Sequence, residues 1–270
     1  MDIRHRSLKT RAKQLRLDVL ETVKRVGKGH LGGTFSCIDL LVALYYGQIL
    51  RFDATAPQWS DRDRFLIGKG HACLALYHIW ADLGFFSNDL LDDIGCPGSK
   101  LGNQLDIWTP GSEYNTGSLG HVIGVGAGMA ISAELDGRAY KVVALVGDAE
   151  CDEGSVWESV LSADRLGLKN LIVVVDRNRL SVTGEIKSDD RFTLEDKFEA
   201  FGWTALTIDG HSFEEILSAF NKAYEIKEPV AIVANTVKGK GVSFMENGVR
   251  WHHSMPNEDE LSIARRELSE

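Results

Sequence analysis

Two polar residues are placed where they could do chemistry together. Asp148 follows the apolar run Val142–Val146 and Gly147, and Asn178 follows the apolar run Leu171–Val175. Both runs are short and rich in β-branched residues, which reads as buried strands. Between them Ser155–Leu166 carries Val156, Val160, Leu161 and Leu166 near helical spacing, so it reads as a helix with an apolar stripe. Strand, helix, strand is a βαβ unit. If its strands are neighbours, Asp148 and Asn178 lie side by side in the crevice where open α/β sheets bind ligands. A carboxylate and an amide oxygen there suit a hard cation such as Mg²⁺, Ca²⁺ or Mn²⁺, which completes its shell with water and phosphate oxygens. A cation would also let a phosphate approach the acidic run Asp148, Glu150, Asp152, Glu153.

Other readings of these residues fare differently. An EF-hand loop starting at Asp148 needs Gly at its sixth position and Glu at its twelfth, where this chain has Glu153 and Ser159. An acidic helix N-terminus, favoured by the helix dipole, accounts for Asp152 and Glu153 but not for Asn178. The glycine clusters match neither the P-loop nor the dinucleotide-binding pattern in a strand–turn–helix context. His30, His71, His121, His211, His252 and His253 border glycines or strand ends. None is paired at the helical spacings of a metal site, so the pattern argues against histidine ligation.

The elements that must position these groups alternate along the chain. Leu8–Lys24 and Ser36–Tyr46 read as helices separated by the glycine-rich break Gly27–Gly33, with Gly47 marking the end of the second. A strand ends at Ile67, a helix follows over Ala72–Leu83, and Asp92–Asn115 is a long irregular passage with Pro97 and Pro110. Gly117–Ile131 reads as a tight turn entering a small-residue helix. Leu194–Phe201 is a helix, Trp203–Ile208 a strand, and Ser212 with Glu215 forms a capping box for the next helix. Val230–Val237 is the last strand, and a charged helix closes the tail after Met255. This order predicts one α/β domain over residues 1–270, doubly wound, with a mostly parallel sheet and helices on both faces.

Composition narrows the function classes. The 270 residues have a net charge of −9, which disfavours a nucleic-acid binder. No apolar run approaches the ~20 residues of a membrane span, and the basic N-terminal segment lacks the apolar stretch of a secretory signal. Cys37, Cys73, Cys96 and Cys151 form no C-x-x-C pair and read as reduced thiols, so the expected compartment is the cytoplasm.

Gly147-Asp148, Glu153-Gly154, Asn178 and Gly184 resemble the thiamine diphosphate-binding motif in its transketolase version. Further ordered segments agree: Gly29-His30-Leu31-Gly32, Asp63-Arg64-Phe65 with Gly70-His71-Ala72, Thr116-Gly117-Ser118-Leu119-Gly120, and the passage from Lys238 to His252. The resemblance covers nearly the whole chain. It implies a cation held by Asp148, Asn178 and the carbonyl of Leu180, with Gly147, Ala149 and Asn178 near the cofactor diphosphate. It implies that His71 contacts the diphosphate and that Gly117, Ser118 and Leu119 meet the aminopyrimidine ring. His30 and His252 would assist proton transfers at the sugar, with His252 also facing the cofactor.

The chain departs from the family pattern in three places. Ala149 stands where Gly is usual, Gly102-Asn103-Gln104-Leu105 where Gly-His-Pro-Glu is usual, and Gly120-His121 where Gly-Gln is usual. Asn103 thus stands in for an active-site histidine, which puts the usual donor and acceptor sugars in doubt. His121 could take over that role or simply face its helix. The resemblance reaches only the diphosphate-binding domain of a transketolase. It implies a split enzyme in which a C-terminal subunit carries the pyrimidine-binding domain, as an α₂β₂ assembly transferring a two-carbon ketol unit between sugar phosphates. Two alternatives are a subunit of another thiamine diphosphate enzyme, such as a 2-oxo acid dehydrogenase or a biosynthetic synthase, and a non-catalytic regulatory subunit that kept the fold.

Overall fold

The named strands among the described residues pair only in parallel, and across the sheet they run in the order Arg64–Ile67, Val142–Gly147, Leu171–Arg177, Val230–Asn235, Thr204–Asp209. The computed structural model describes residues 3–186 and 191–270. Its strands are β1 (Arg64–Ile67), β2 (Val142–Gly147), β3 (Leu171–Arg177), β4 (Thr204–Asp209) and β5 (Val230–Asn235). The helices are α1 (Ile3–Val26), α2 (Leu31–Tyr46), α3 (Cys73–Leu83), α4 (Val122–Leu135), α5 (Gly154–Arg165), α6 (Leu194–Ala200), α7 (Phe213–Glu225) and α8 (Glu258–Ser269). No helix among the described residues is long and apolar enough to cross a membrane.

Side chains alternate across the sheet and feed two cores. Val143, Leu145, Ile172, Val174 and Ile232 face a large core with α1, α2, α3, α7 and α8. Val142, Ala144, Val146, Val173, Val175 and Val233 face a smaller one with α4, α5 and α6. A strand buried on both faces must be apolar at every position, which is why β2 and β3 are legible as continuous apolar runs. The doubly wound arrangement follows, and the carboxyl ends of all the strands share one edge.

Some local expectations change. Gly32 and Gly33 lie inside α2, so only residues 27–30 separate the first two helices. Both glycines are needed for close approach. A Cβ at Gly32 would sit 2.9 Å from the carbonyl of Trp251, and one at Gly33 would sit 3.1 Å from His71 Nε2. The capping box at Ser212 is half formed. Ser212 accepts the N–H of Glu215, but the Glu215 carboxylate accepts from the N–H of Asp209 instead. Complete boxes occur at Thr193 with Asp196 and at Asn257 with Glu260.

A buried polar clamp ties the helical layer to the sheet. Arg16 of α1 donates to both carboxylate oxygens of Asp39 on α2, at 3.2 and 2.6 Å. His211, just past β4, accepts the N–H of Val237 at Nε2, so its Nδ1–H donates to Asp39 Oδ2 at 2.6 Å. Burial alone would raise the Asp39 carboxyl, but Arg16 and His211 outweigh it and hold the pKa at about 2. Replacing Asp39 with Ala strands the Arg16 charge in the core. We expect Asp39→Ala to lower stability by about 3–5 kcal/mol, read as a shift of the urea midpoint. The native carboxyl lies below its ordinary value of 3.8, so its contribution is whole above that value and is lost as pH falls towards about 2. Acid unfolding of the variant should therefore be flatter across that window.

Candidate active site

The carboxyl edge of the sheet carries a buried ion pair. Lys69 follows β1, and its ammonium donates to the Gly33 carbonyl at 2.7 Å and contacts the Ser36 hydroxyl at 3.2 Å. It also pairs with Asp176, the penultimate residue of β3, which is fully buried. Asp176 accepts from Ser36 Oγ at 2.6 Å and from the Thr236 hydroxyl beyond β5. Burial opposes ionisation of both groups. Lys69 nonetheless holds the Asp176 carboxyl below its usual range, and Asp176 holds the Lys69 ammonium above its own.

Among the described residues Asp148 has no such partner. It follows β2, is 6% exposed, and accepts backbone N–H groups from Ala149 and Arg179. Burial, and then the neighbouring Asp176, push its pKa up to about 6. Asn178 is equally buried and accepts the Leu180 N–H at Oδ1, 3.1 Å away, leaving that oxygen a second lone pair. The Leu180 carbonyl already receives a cation, because Lys238 Nζ approaches it at 3.3 Å and the Ser181 carbonyl at 3.1 Å. A carboxylate with no direct ion pair among the described residues, an amide oxygen and a backbone carbonyl are an oxygen donor set that fits a hard divalent cation. Lys238, itself buried and drawn down to about 8 by burial and by Lys69, adds a positive charge beside them.

The acidic run that begins at Asp148 divides. Asp152 and Glu153 are exposed, whereas Glu150 is buried. Glu150 accepts the N–H groups of Gly120 at 2.9 Å and Gly147 at 3.1 Å, joining the Gly117–Gly120 turn to the end of β2. It also lies against Gly68, where a Cβ would fall 2.0 Å from Oε1. The Gly147 and Ala149 N–H groups are thus both engaged by carboxylates, Ala149 with Asp148 Oδ1 at 2.9 Å. Gly117 adopts φ +119°, open only to glycine without strain. It stands with Ser118 and Leu119 on the rim, where the Leu119 side chain is 40% exposed.

Four imidazoles gather beside this edge. The ring centroid of His30, at the N-terminus of α2, lies 5.1 Å from His71, 5.5 Å from His252 and 4.4 Å from His253. His252 Nδ1 contacts Lys238 Nζ at 3.2 Å. Burial first, and then neighbouring positive charge, lower His30 and His252 to about 4 and put His71 well below its ordinary value. These rings are therefore neutral near pH 7. Asn103 is exposed, on a loop pinned where the Tyr77 hydroxyl donates to the Gly102 carbonyl at 3.1 Å. It lines a cleft of about 300 Å³ with Lys28, His30, His71 and His253. His121 is elsewhere: it is exposed at the N-terminus of α4 and does not line that cleft.

Local spacing argues against histidine ligation, but spacing along the chain does not limit which rings meet in the fold. Nitrogens of His30, His252 and His253 lie within 4.8 Å of one another, because residues far apart in sequence converge. Sequence reasoning reads Glu150 only as part of the acidic run, and it gives Lys69, Asp176 and Lys238 no role of their own. The one signal of these last three is a charge at the end of an apolar strand, which a parallel sheet buries only if something pairs with it.

Comparison with known proteins shows the family. Residues 7–269 match the transketolase thiamine diphosphate binding domain. The chain is 39% identical to one subunit of an apulose-4-phosphate transketolase from Phocaeicola vulgatus, covering 98% of this chain and 94% of that protein. It is 36% identical to a 6-deoxy-6-sulfo-D-fructose transketolase subunit from Clostridium sp., covering 97% of this chain and 96% of that one. Against single-chain transketolases it spans less than half of the partner. The crystal structure of the Campylobacter jejuni enzyme superposes with a TM-score of 0.92 and 28% identity, over all of this chain and 43% of that one. The chain belongs to the transketolase family of thiamine diphosphate-dependent transferases, matching its N-terminal, cofactor-binding part.

Proposed function

We propose that this chain is the diphosphate-binding half of a two-chain transketolase, which moves a two-carbon ketol unit from a ketose phosphate to an aldose phosphate. The observation that carries this reading is the convergence of Asp148, Asn178, the Leu180 carbonyl and Lys238 beside the four imidazoles. Asp148, Asn178 and Leu180 would hold Mg²⁺ or a similar hard cation, and that cation together with Lys238 and His71 would balance the cofactor diphosphate. Gly147, Ala149 and Asn178 line the same diphosphate position. Thiamine diphosphate, when bound, supplies the electron sink that lets a carbon–carbon bond beside a carbonyl break.

The side chains bind, orient and move protons. Neutral His30 and His252 can each accept a proton from a sugar hydroxyl or donate a hydrogen bond to its carbonyl oxygen. Asn103 presents a donor and an acceptor to the cleft but cannot take up a proton, so its part is recognition. Gly117, Ser118 and Leu119 offer a backbone edge and an apolar face suited to a flat heteroaromatic ring.

A partner chain fits the surface. Glu134 is the one charged residue of α4, and the exposed positions Gly124, Gly128 and Leu135 carry no charge. Ile107 is 50%, Trp108 79% and Leu119 40% exposed. Exposed apolar surface of this kind marks a contact face. The relatives matched over nearly their whole length are named as subunits. We take the partner to be a C-terminal transketolase chain carrying the pyrimidine-binding domain, in an α₂β₂ assembly. The unpaired cysteines support a reducing compartment, the cytoplasm.

The deciding experiment purifies this chain with such a partner and assays ketol transfer with Mg²⁺ and thiamine diphosphate. Turnover should appear only in the mixture; turnover by this chain alone would refute the split site. In the mixture, Asp148→Ala should abolish Mg²⁺-dependent cofactor binding while the thermal unfolding profile stays cooperative. Unchanged cofactor affinity would remove Asp148 from the site. Asn103→His should shift preference towards ordinary sugar phosphates, measured as the ratio of kcat/KM values across a substrate panel. Identical ratios would show that Asn103 does not read the substrate.

A further inference from the structure

His253 is not needed for the cation position or for the proposed proton transfers, yet it completes a metal-ligand constellation. We propose that His30, His252 and His253 form a binding site for a transition-metal dication of the Zn²⁺ class, distinct from the hard-cation position at Asp148, and that its occupation inhibits the enzyme.

One nitrogen from each ring lies within 4.8 Å of the other two. Around a tetrahedral ion with Zn–N of about 2.0–2.1 Å the nitrogens stand about 3.3 Å apart, a difference that small side-chain rotations can close. The rings are fanned rather than stacked, with interplanar angles of 80° for His30–His252, 60° for His30–His253 and 75° for His252–His253. Nitrogens can therefore point at a common centre. His252 Nδ1 is engaged by Lys238, which leaves Nε2 as the nitrogen free of that contact.

The donor chemistry selects the metal. Three imidazoles with no carboxylate suit zinc, copper, nickel or cobalt and disfavour magnesium and calcium, whereas the Asp148 position offers only oxygens. Burial is graded: His30 and His252 are half-buried and His253 is exposed. An ion can arrive from solvent at His253 and settle against the inner pair. Three protein ligands leave a fourth position open for water. Inhibition follows from shared ligands, because lone pairs of His30 and His252 given to a metal are withdrawn from the sugar.

The test is spectroscopic and needs no turnover. The full-length chain with saturating Mg²⁺ is titrated with Co²⁺, which absorbs strongly in the visible when tetrahedral and weakly when six-coordinate. The wild-type chain should develop the tetrahedral spectrum at one equivalent, and Zn²⁺ should bleach it. His253→Ala, at an exposed position, should weaken Co²⁺ binding by about tenfold or more. Asp148→Ala should leave the spectrum intact. A six-coordinate spectrum, equal affinity in His253→Ala, or loss of the band in Asp148→Ala would each overturn the proposal. In the two-chain mixture, His253→Ala should relax Zn²⁺ inhibition relative to its own metal-free rate. Absence of turnover there would count against the transketolase reading, while the cobalt spectrum would still decide this one.

Discussion

The Lys69–Asp176 ion pair is the interaction on which the rest of the site depends. It joins the ends of β1 and β3, the N-terminal half of α2 through Gly33 and Ser36, and the segment after β5 through Thr236. Each charge alone would cost several kcal/mol to bury. Paired and supplied with further hydrogen bonds, they lock four segments in one geometry. Two carboxylates then lie close together at the sheet edge, and among the described residues only Asp176 forms an ion pair with a lysine. Asp148 is left with backbone N–H groups and a pKa pushed to about 6, a negative charge that a divalent cation would satisfy.

The same economy of charge explains the imidazoles. Burial, and then the positive field of Lys69 and Lys238, keep His71 and His252 neutral. Neutral imidazole is the useful form for accepting a proton from a sugar hydroxyl and for ligating a soft metal. One arrangement of lysines thus leaves positive charge at the sheet edge and neutral imidazoles in the adjacent cleft. The scaffold protects that arrangement from the other side through Arg16, Asp39 and His211, which hold α1, α2 and the segments beyond β4 and β5 in register.

Glycines act here mainly by absence of bulk. Gly32 admits the Trp251 carbonyl, Gly33 admits His71, and Gly70 admits Thr116, where a Cβ would fall 1.9 Å from Oγ1. As a run of residues, Gly27–Gly33 looks like a break in the chain. In the fold its second half is the tightly packed start of a helix.

The sequence by itself determined the α/β class, the parallel sheet and the positions of Asp148 and Asn178. Strands buried on both faces must be apolar throughout, and ligand-binding polar groups must follow their carboxyl ends. Ordered motifs also identified the family. Only the tertiary structure decided which charges meet. Lys69 and Asp176 are separated by a long stretch of chain, as are His30 and His253, and no local period encodes such a pairing. It arises when parallel strands bring their carboxyl ends to one edge and the α2 N-terminus is pressed against it. Glu150 shows the same limit within one short run. Its neighbours Asp152 and Glu153 are solvated, yet it turns inward to bind two backbone N–H groups, a choice set by where the Gly117–Gly120 turn comes to rest.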